Sequence, residues 1–387
     1  MDPTGMVTLP VGSDRARRGP PSRSRMPWVR WEVFVRFGQP FLRLSSLVLL
    51  SSVLVAGAPA STSLQKQPST SLLKDRLTLR LPKDMRIQAR AHSIMSAPQP
   101  TEEETRAVLD AGEERLVLMA AELFERGGAD PDRSVRATVA EFKPPPLKVE
   151  PLQLSSQNLK AWAVFPASID RSRSAILLLS VYALHPDGFM QLLNFYVNPP
   201  AAKGAGCSGL ARVAGAGKLP QAPGELPTCT ALVHAIASTL EAGTRRIDSA
   251  GGERKLTGQY NDDSFFVKVP AGTGVTAQSG HDFTVHHVRL PVDLGEPQPS
   301  LGIYVGGHPS YQYKQNDAQV TPTRKPGKVF GKDVSWQVWS ESPKSVMAEV
   351  IVDHPQSKNA RVHLFASAAD EKALAPMLDI AASLRLP

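Results

Sequence analysis

Apolar and polar residues alternate over much of this chain, and the alternation predicts strands more often than helices. Leu77, Leu79 and Leu81 interleave with Thr78 and Arg80 before Pro82, the period of two that marks a half-buried strand. Ala175–Leu184 and Phe189–Val197 are two apolar-rich runs joined by His185-Pro186-Asp187-Gly188. The Pro-Asp-Gly core is turn chemistry, so the two runs predict a hairpin. Strands are also expected at Leu147–Leu154 and Leu159–Phe165, after the break at Pro144–Pro146. Arg115–Phe124 suits a strand or a buried helix; a hairpin turning at Asp110-Ala111-Gly112 is favoured, although Thr101 with Glu104 forms a capping-box pattern for a helix. Asp130-Pro131 marks a helix start, and Thr230–Ala242 places Val233, Ile236, Ala237 and Leu240 on one helical face with Gly243 as its stop.

The pattern then restarts. Phe265–Pro270 echoes Leu77–Pro82, and strands are expected at Phe283–Leu290, Leu301–Val305, Val334–Trp339, Val346–Val352 and Arg361–Ala366. A last helix over Asp370–Leu386 carries Met377, Ile380, Ala381 and Leu384 in the order and spacing of Val233, Ile236, Ala237 and Leu240. The halves read as divergent copies of one unit, the first lengthened by the Ala129–Pro146 region and a Gly/Ala/Pro loop at 199–227. Neither half alternates strand with helix regularly, which disfavours a doubly wound parallel sheet. The expected fold is α+β: two similar antiparallel-sheet domains, at 76–245 and 262–387, each closed by a carboxy-terminal amphipathic helix. A flexible linker at 61–75 precedes the first, and a polar linker at 246–261 joins them. The strands Leu77–Pro82 and Phe265–Pro270, with the Ile236/Leu240 and Ile380/Leu384 helices, resemble those of tandem PsbP-like α/β sandwich domains. That resemblance implies a sandwich that binds or assists a partner, and it carries over no catalytic residue.

Charge and composition narrow the function classes. Hydrophobic residues make up 42% and charged residues 21%, a balance that lets the chain build a core. The net charge of +8 suggests nucleic acid until it is divided: residues 1–60 hold eight arginines against Asp2, Asp14 and Glu32, so most of the excess sits there. The rest has no run of five or six basic residues, and nucleic-acid binding is not expected. Residues 1–60 themselves read as a leader. A basic stretch, Met26–Arg43, precedes an apolar run, Leu44–Val55, and Ala58-Pro59-Ala60 offers the small residues a signal peptidase reads, so cleavage is expected before Ser61. The apolar run is shorter than a bilayer span needs and is broken by four serines, so no membrane span is expected after leader removal. Met26 is an alternative start. In an oxidising compartment Cys207 and Cys229 are expected to form a disulfide, the alternative being two small buried hydrophobes. The chain has no Asn-x-Ser/Thr acceptor, which leans towards a bacterial source.

Signals of chemistry mostly fail on context. Gly204-Ala205-Gly206-Cys207-Ser208-Gly209 matches the dinucleotide string, but Pro199-Pro200 separates it from a strand and no helix is expected after it. Arg212 and Leu219 exclude a P-loop at Gly217-Lys218. No cofactor is expected. His281 and His287 share one strand face and His286 the other, so solvated histidines are favoured over a metal site. The unusual stretch is Gly302–Tyr313, where Tyr304, His308, Tyr311 and Tyr313 surround a double glycine. These four are the candidate binding residues, because aromatics on a turn combine contact area with polar tips; a strand leaving the sheet through a glycine turn is the plainer reading. The expected function is a non-catalytic binding or scaffolding protein, periplasmic or extracellular, with a protein or envelope component as partner. The alternative is a secreted hydrolase around His308 and Tyr304.

Overall fold

The computed structural model describes residues 64, 66–88, 104–142, 144–167, 175–198, 207–215, 226–247, 250–258, 264–279, 282–314 and 320–387. The expected leader at 1–60, its cleavage point before Ser61 and most of the 199–227 loop lie outside them. Among the described residues no helix is long and apolar enough to cross a membrane.

The first half opens with strands β1 (Ser69–Leu72) and β2 (Leu77–Arg80), which pair antiparallel. A seven-stranded antiparallel sheet follows, built from β3 (Arg86–Gln88), β4 (Glu104–Ala111), β5 (Glu114–Arg126), β6 (Lys148–Pro151), β7 (Lys160–Phe165), β8 (Ile176–Leu184) and β9 (Phe189–Asn198) in the order β3-β4-β5-β9-β8-β7-β6. Between β5 and β6 runs helix α1 (Pro131–Ala140), capped by the Asp130 side chain. Helices α2 (Ser208–Val213) and α3 (Pro227–Ala237) lead to β10 (Glu241–Ala242), which pairs with β2. Period-two alternation puts Leu116, Leu118 and Ala120 of β5 and Leu193, Phe195 and Val197 of β9 into one buried cluster with Val233, Ile236 and Ala237 of α3. On the opposite face Val135 and Val139 of α1 pack on Trp162, Val164, Tyr182 and Met190.

The second half begins with the hairpin β11 (Gly252–Leu256) and β12 (Phe265–Val269). Its seven-stranded sheet holds β13 (Gly274–Ser279), β14 (Phe283–Arg289), β15 (Ser300–Gly306), β16 (Thr323–Val329), β17 (Lys332–Ser342), β18 (Ser345–Asp353) and β19 (Arg361–Ala368), in the order β13-β14-β15-β19-β18-β17-β16. Strand for strand, this is the order of the first sheet. Helix α4 (Glu371–Ala382), capped by Asp370, buries Leu374, Met377, Ile380 and Ala381 on the inward face with Leu301, Ile303, Val362 and Leu364.

The α+β expectation is corrected by this architecture. The protein is mainly β, with two seven-stranded antiparallel sheets and four helices among the described residues. Helices do not close the units. After α3 the chain returns as β10 on β2, and after α4 Arg385 bridges to Phe266 of β12. The expected helix over Thr230–Ala242 stops at Ala237, because Ser238 caps it and the chain turns back to pair. Gly243 lies beyond that stop, where a Cβ would meet the Asp75 carbonyl oxygen at 2.1 Å. Six strands escape a hydropathy reading: β1 falls within the expected flexible linker at 61–75 and β11 within the expected linker at 246–261, β3 and β10 are only three and two residues long, β13 opens on a glycine, and β16 is short of apolar residues. Strand β16 is an edge strand carrying Pro326 and three basic residues, features that guard an open edge rather than fill a core. Glu104 starts β4 instead of capping a helix, since pairing of Glu104 with Ala121 on β5 overrides the local signal.

The halves meet where β5 outruns its own sheet. Its register with β9 shifts between Glu122 and Arg126, with Phe124 in the left-handed region at φ 57°. Beyond the shift Arg126 N–H donates to Val292 O at 2.7 Å and Leu294 N–H to Arg126 O at 2.8 Å, so a second-half segment pairs with the end of β5. The Phe124 ring covers Gly274, where a Cβ would come within 2.3 Å of it. Glu125, beside it, accepts from Gly295 N–H at 3.2 Å. Burial pushes the Glu125 carboxyl up to about 7, against the opposing pull of that N–H and of Arg289.

Two predictions follow from these contacts. Cys207, just before α2, and Cys229, in α3, are joined by a disulfide with Cα atoms 5.0 Å apart and a sequence separation of 22. Chain-entropy models assign about 3 kcal/mol to a loop of this size. A Cys207→Ala, Cys229→Ala double variant is expected to lose about that much in urea unfolding. The unreduced, denatured wild type is expected to resist thiol alkylation. The second prediction concerns Glu125. Its carboxyl binds a proton more tightly folded than unfolded, so its contribution is fully present below about 4.5 and is lost as pH rises through about 7. Wild type measured against Glu125→Gln should therefore lose relative thermal stability between those pH values, and equal slopes would refute the assignment.

Candidate functional site

The outward face of the second sheet carries the candidate residues. Leu301, Ile303 and Val305 of β15 point inward to α4, so Gly302 and Tyr304 point out. By the same alternation Gln337 and Trp339 of β17, Glu349 and Ile351 of β18, and His363 and Phe365 of β19 share that outward face. Register places Tyr304 opposite His363, Phe365 opposite Glu349, and Glu349 opposite Gln337, which in turn faces Arg324.

This face is spanned by the connection from β15 to β16. The sheet order forces the crossing, because β19, β18 and β17 stand between the two strands. The connection touches down as a single 3-10 turn, Gln312–Lys314. Glu349 anchors it. The Glu349 carboxylate, wholly buried, accepts from Gln312 N–H at 2.9 Å and Tyr313 N–H at 3.2 Å, and lies 2.8 Å from His363 Nε2. A buried carboxylate costs several kcal/mol unless it is paired and hydrogen-bonded, and these three contacts meet that demand. Both oxygens are engaged.

Anchoring the turn assembles an aromatic cluster. The Tyr311 and Tyr313 rings lie 5.4 Å apart, tilted at 47°; Tyr311 meets His363 edge-on at 6.2 Å, and Tyr313 meets Trp339 at 5.9 Å. His363 also packs on Phe365 at 5.4 Å. Lys314 Nζ sits 5.2 Å from the Tyr311 centroid and 5.7 Å from that of Tyr313, within cation–π range of both. Tyr311 and Tyr313 remain half-exposed and Lys314 is exposed.

The four candidate residues separate into two places. Tyr311 and Tyr313 join the cluster. Tyr304, beside His363 in register, stacks instead on Phe283 at 5.5 Å. Burial raises the Tyr304 phenol, and the charge of Asp282 adds to the rise against a hydrogen bond with the His308 backbone. A phenol held up in this way is a poor nucleophile at neutral pH. His308 is exposed and is tied to Tyr304 through its backbone. Glu349, His363 and Trp339 were not among the expected site residues, though Glu349 is the single charge within the apolar run Val346–Val352.

The histidine and glycine signals resolve differently from expectation. His281 lies outside the described residues, and His286 is buried against Phe265 at 6.1 Å rather than solvated, because it falls on the inward face of β14. Among the described residues no group of three His, Cys, Asp or Glu side chains could hold a metal ion. No helix was expected after the glycine string, yet Leu210–Val213 continue α2 from Ser208 and Gly209, and Glu114 Oε2 accepts from Leu210 N–H at 2.8 Å in its first turn.

No family model matches the chain, so no family match carries the PsbP-like resemblance, and no curated protein matches it significantly. One solved structure, the crystal structure of MucB in complex with MucA(peri), is similar at 9% identity over 78% of this chain and 86% of that chain, with a TM-score of 0.15. Likeness of that degree fixes neither fold nor function.

Glu349→Ala should release the turn. Two part-buried amides would lose their acceptor, at a cost of up to about 1 kcal/mol each. Hydrogen exchange at Gln312 and Tyr313 is expected to accelerate while exchange in α4 stays near wild type; unchanged exchange at the turn would show that Glu349 does not hold it.

Proposed function

We propose that this is an exported, non-catalytic binding or scaffolding protein whose contact surface is the tyrosine turn on the second sheet. One observation carries the reading: the buried Glu349 carboxylate accepts from the Gln312 and Tyr313 amides while it rests against His363, and so fixes the turn that presents Tyr311 and Tyr313. The pair builds a presented surface. Half-exposed tyrosines on a fixed turn supply large contact area at low entropy cost, the composition that recognition surfaces favour. The disulfide supports export, since such bonds persist in oxidising compartments. A protein or another envelope component is the partner this reading implies.

The test is site-specific photo-cross-linking in the producing cell. A photoreactive residue at position 314 is expected to give a discrete adduct, and one at position 332, on the β16–β17 hairpin, is not. Tyr311→Ala with Tyr313→Ala should abolish the adduct. Equal labelling from both positions would overturn the reading, as would hydrolytic turnover by the purified protein that His308→Ala removes.

A further inference from the structure

The tyrosine turn, if it is the contact surface proposed above, also shows what chemistry its partner brings. Its polar equipment is one-sided. Trp339 is buried beneath Tyr313, and its indole Nε1 has no hydrogen-bond partner among the described residues. An indole N–H donates and cannot accept. Lys314 rests on two rings and makes no ion pair among the described residues. Arg324 lies in the same cross-strand row as Gln337 and Glu349, two strand spacings or about 10 Å from the carboxylate that anchors the turn. It too has no described ion pair. The neighbouring charges on this face are already matched: Lys328 with Asp333 at 2.7 Å, Arg361 with Asp353 at 3.3 Å, and Glu349 with His363.

We infer that the notch formed by Tyr311, Tyr313 and Trp339 receives an acidic peptide segment of the partner, one carboxylate reaching Trp339 Nε1 and Lys314 and a second reaching Arg324. Donors and positive charge without a matching acceptor select an acceptor-rich, anionic ligand. Ring geometry selects a peptide over an acidic sugar. The Tyr311–Tyr313 and Tyr313–Trp339 planes are inclined at 47° and 57°, which makes a notch for a side chain and not the flat platform on which a sugar ring stacks. Tyr313 is the ring packed on the indole, so the carboxylate reaches Nε1 as that ring swings outward. Rotamer changes of this kind in exposed side chains are fast, on a ps–ns scale.

Calorimetric titration of the full chain tests the inference with three probes: an acetylated Asp-Glu-Leu-Asp-Glu-Leu peptide, its Lys-Lys-Leu-Lys-Lys-Leu counterpart, and oligogalacturonate. The acidic peptide is expected to bind, and to bind more weakly as ionic strength rises. Lys314→Gln and Arg324→Gln should each weaken it about threefold or more, the scale of an exposed charge pair. Trp339→Phe keeps a ring and removes the donor; it should weaken binding by a similar factor while leaving the melting temperature near wild type. In the wild type, the Trp339 indole N–H resonance should shift on titration. Equal binding of the basic peptide, insensitivity to all three substitutions, or binding of oligogalacturonate alone would overturn the inference. If cross-linking from position 314 persists while the acidic peptide fails, the acidic chemistry falls and the binding surface stands; if both fail, both fall.

Discussion

One buried guanidinium holds the first half together and sets where the second half attaches. Arg76 is 2% exposed, with Glu122 at 2.8 Å, Asp187, His185 Nδ1 at 3.2 Å and the Arg245 carbonyl at 3.1 Å around it. Arg246 in turn reaches His185 Nε2 at 3.0 Å. These contacts draw together the β1–β2 turn, the middle of β5, the β8–β9 turn and the chain after β10. Burial opposes ionisation of Asp187, yet hydrogen bonds from His185, Arg76 and Ile247 N–H hold its carboxyl well below the usual range. Removing one partner from such a network strands a buried charge, which costs about 3–5 kcal/mol. The network also sustains local strain. Leu73, Lys74 and Asp75 all have positive φ, a conformation that non-glycine residues adopt at a cost, and Arg245 N–H and Leu73 N–H close the turn through Asp75 O and Thr105 Oγ1. Glu122 is the last residue of β5 before its register shifts, so the ion cluster sits where the strand departs towards the second half.

A second constraint is topological. In both sheets the strand order obliges the chain to cross over three strands between the fifth and sixth members in chain order of its own half, and both crossings use the outward face. The first crossing is paid for by apolar burial: α1 lays Val135 and Val139 on Trp162 and Tyr182, and Asp132 ties the Trp162 indole at 2.9 Å. The second carries no such helix among the described residues. A single turn pinned by Glu349 replaces it. Polar pinning covers less of the sheet than a helix does, and that difference leaves Tyr311 and Tyr313 half-exposed where α1 would have buried their counterparts.

Residues whose local chemistry and tertiary role agree were legible from the sequence. The Pro186-Asp187-Gly188 turn, the β8–β9 hairpin and the Asp130 cap of α1 are cases where short-range signals and packing point the same way. Strands β11 and β16 were not legible, because a polar or edge strand has no apolar period to read. The helix content was overestimated at Thr230–Ala242 for a different reason: Leu240 continues the apolar period of α3, but the chain has already left the helix at Ser238 and Glu241 and Ala242 pair with β2. At the site, Tyr311 and Tyr313 stood out by composition. Glu349 is 36 and 37 residues away from the amides it accepts, so only the β18–β19 pairing and the crossing turn bring them together.

The way Glu349 is used shows what a polar anchor offers the proposed binding surface that an apolar one does not. A surface loop binds with high affinity only if ordering it has already been accounted for in folding, because each residue fixed at binding costs about 1–2 kcal/mol of backbone entropy. An apolar underside would order the turn, but it would draw the tyrosine rings inward with it, as α1 does with its valines. Backbone amides held by a carboxylate order the same turn through the main chain and leave the side chains free to face outward. The wholly buried acid therefore separates two demands that hydrophobic packing would merge: the backbone of Gln312 and Tyr313 is fixed, while Lys314 stays exposed and Tyr311 and Tyr313 stay partly exposed.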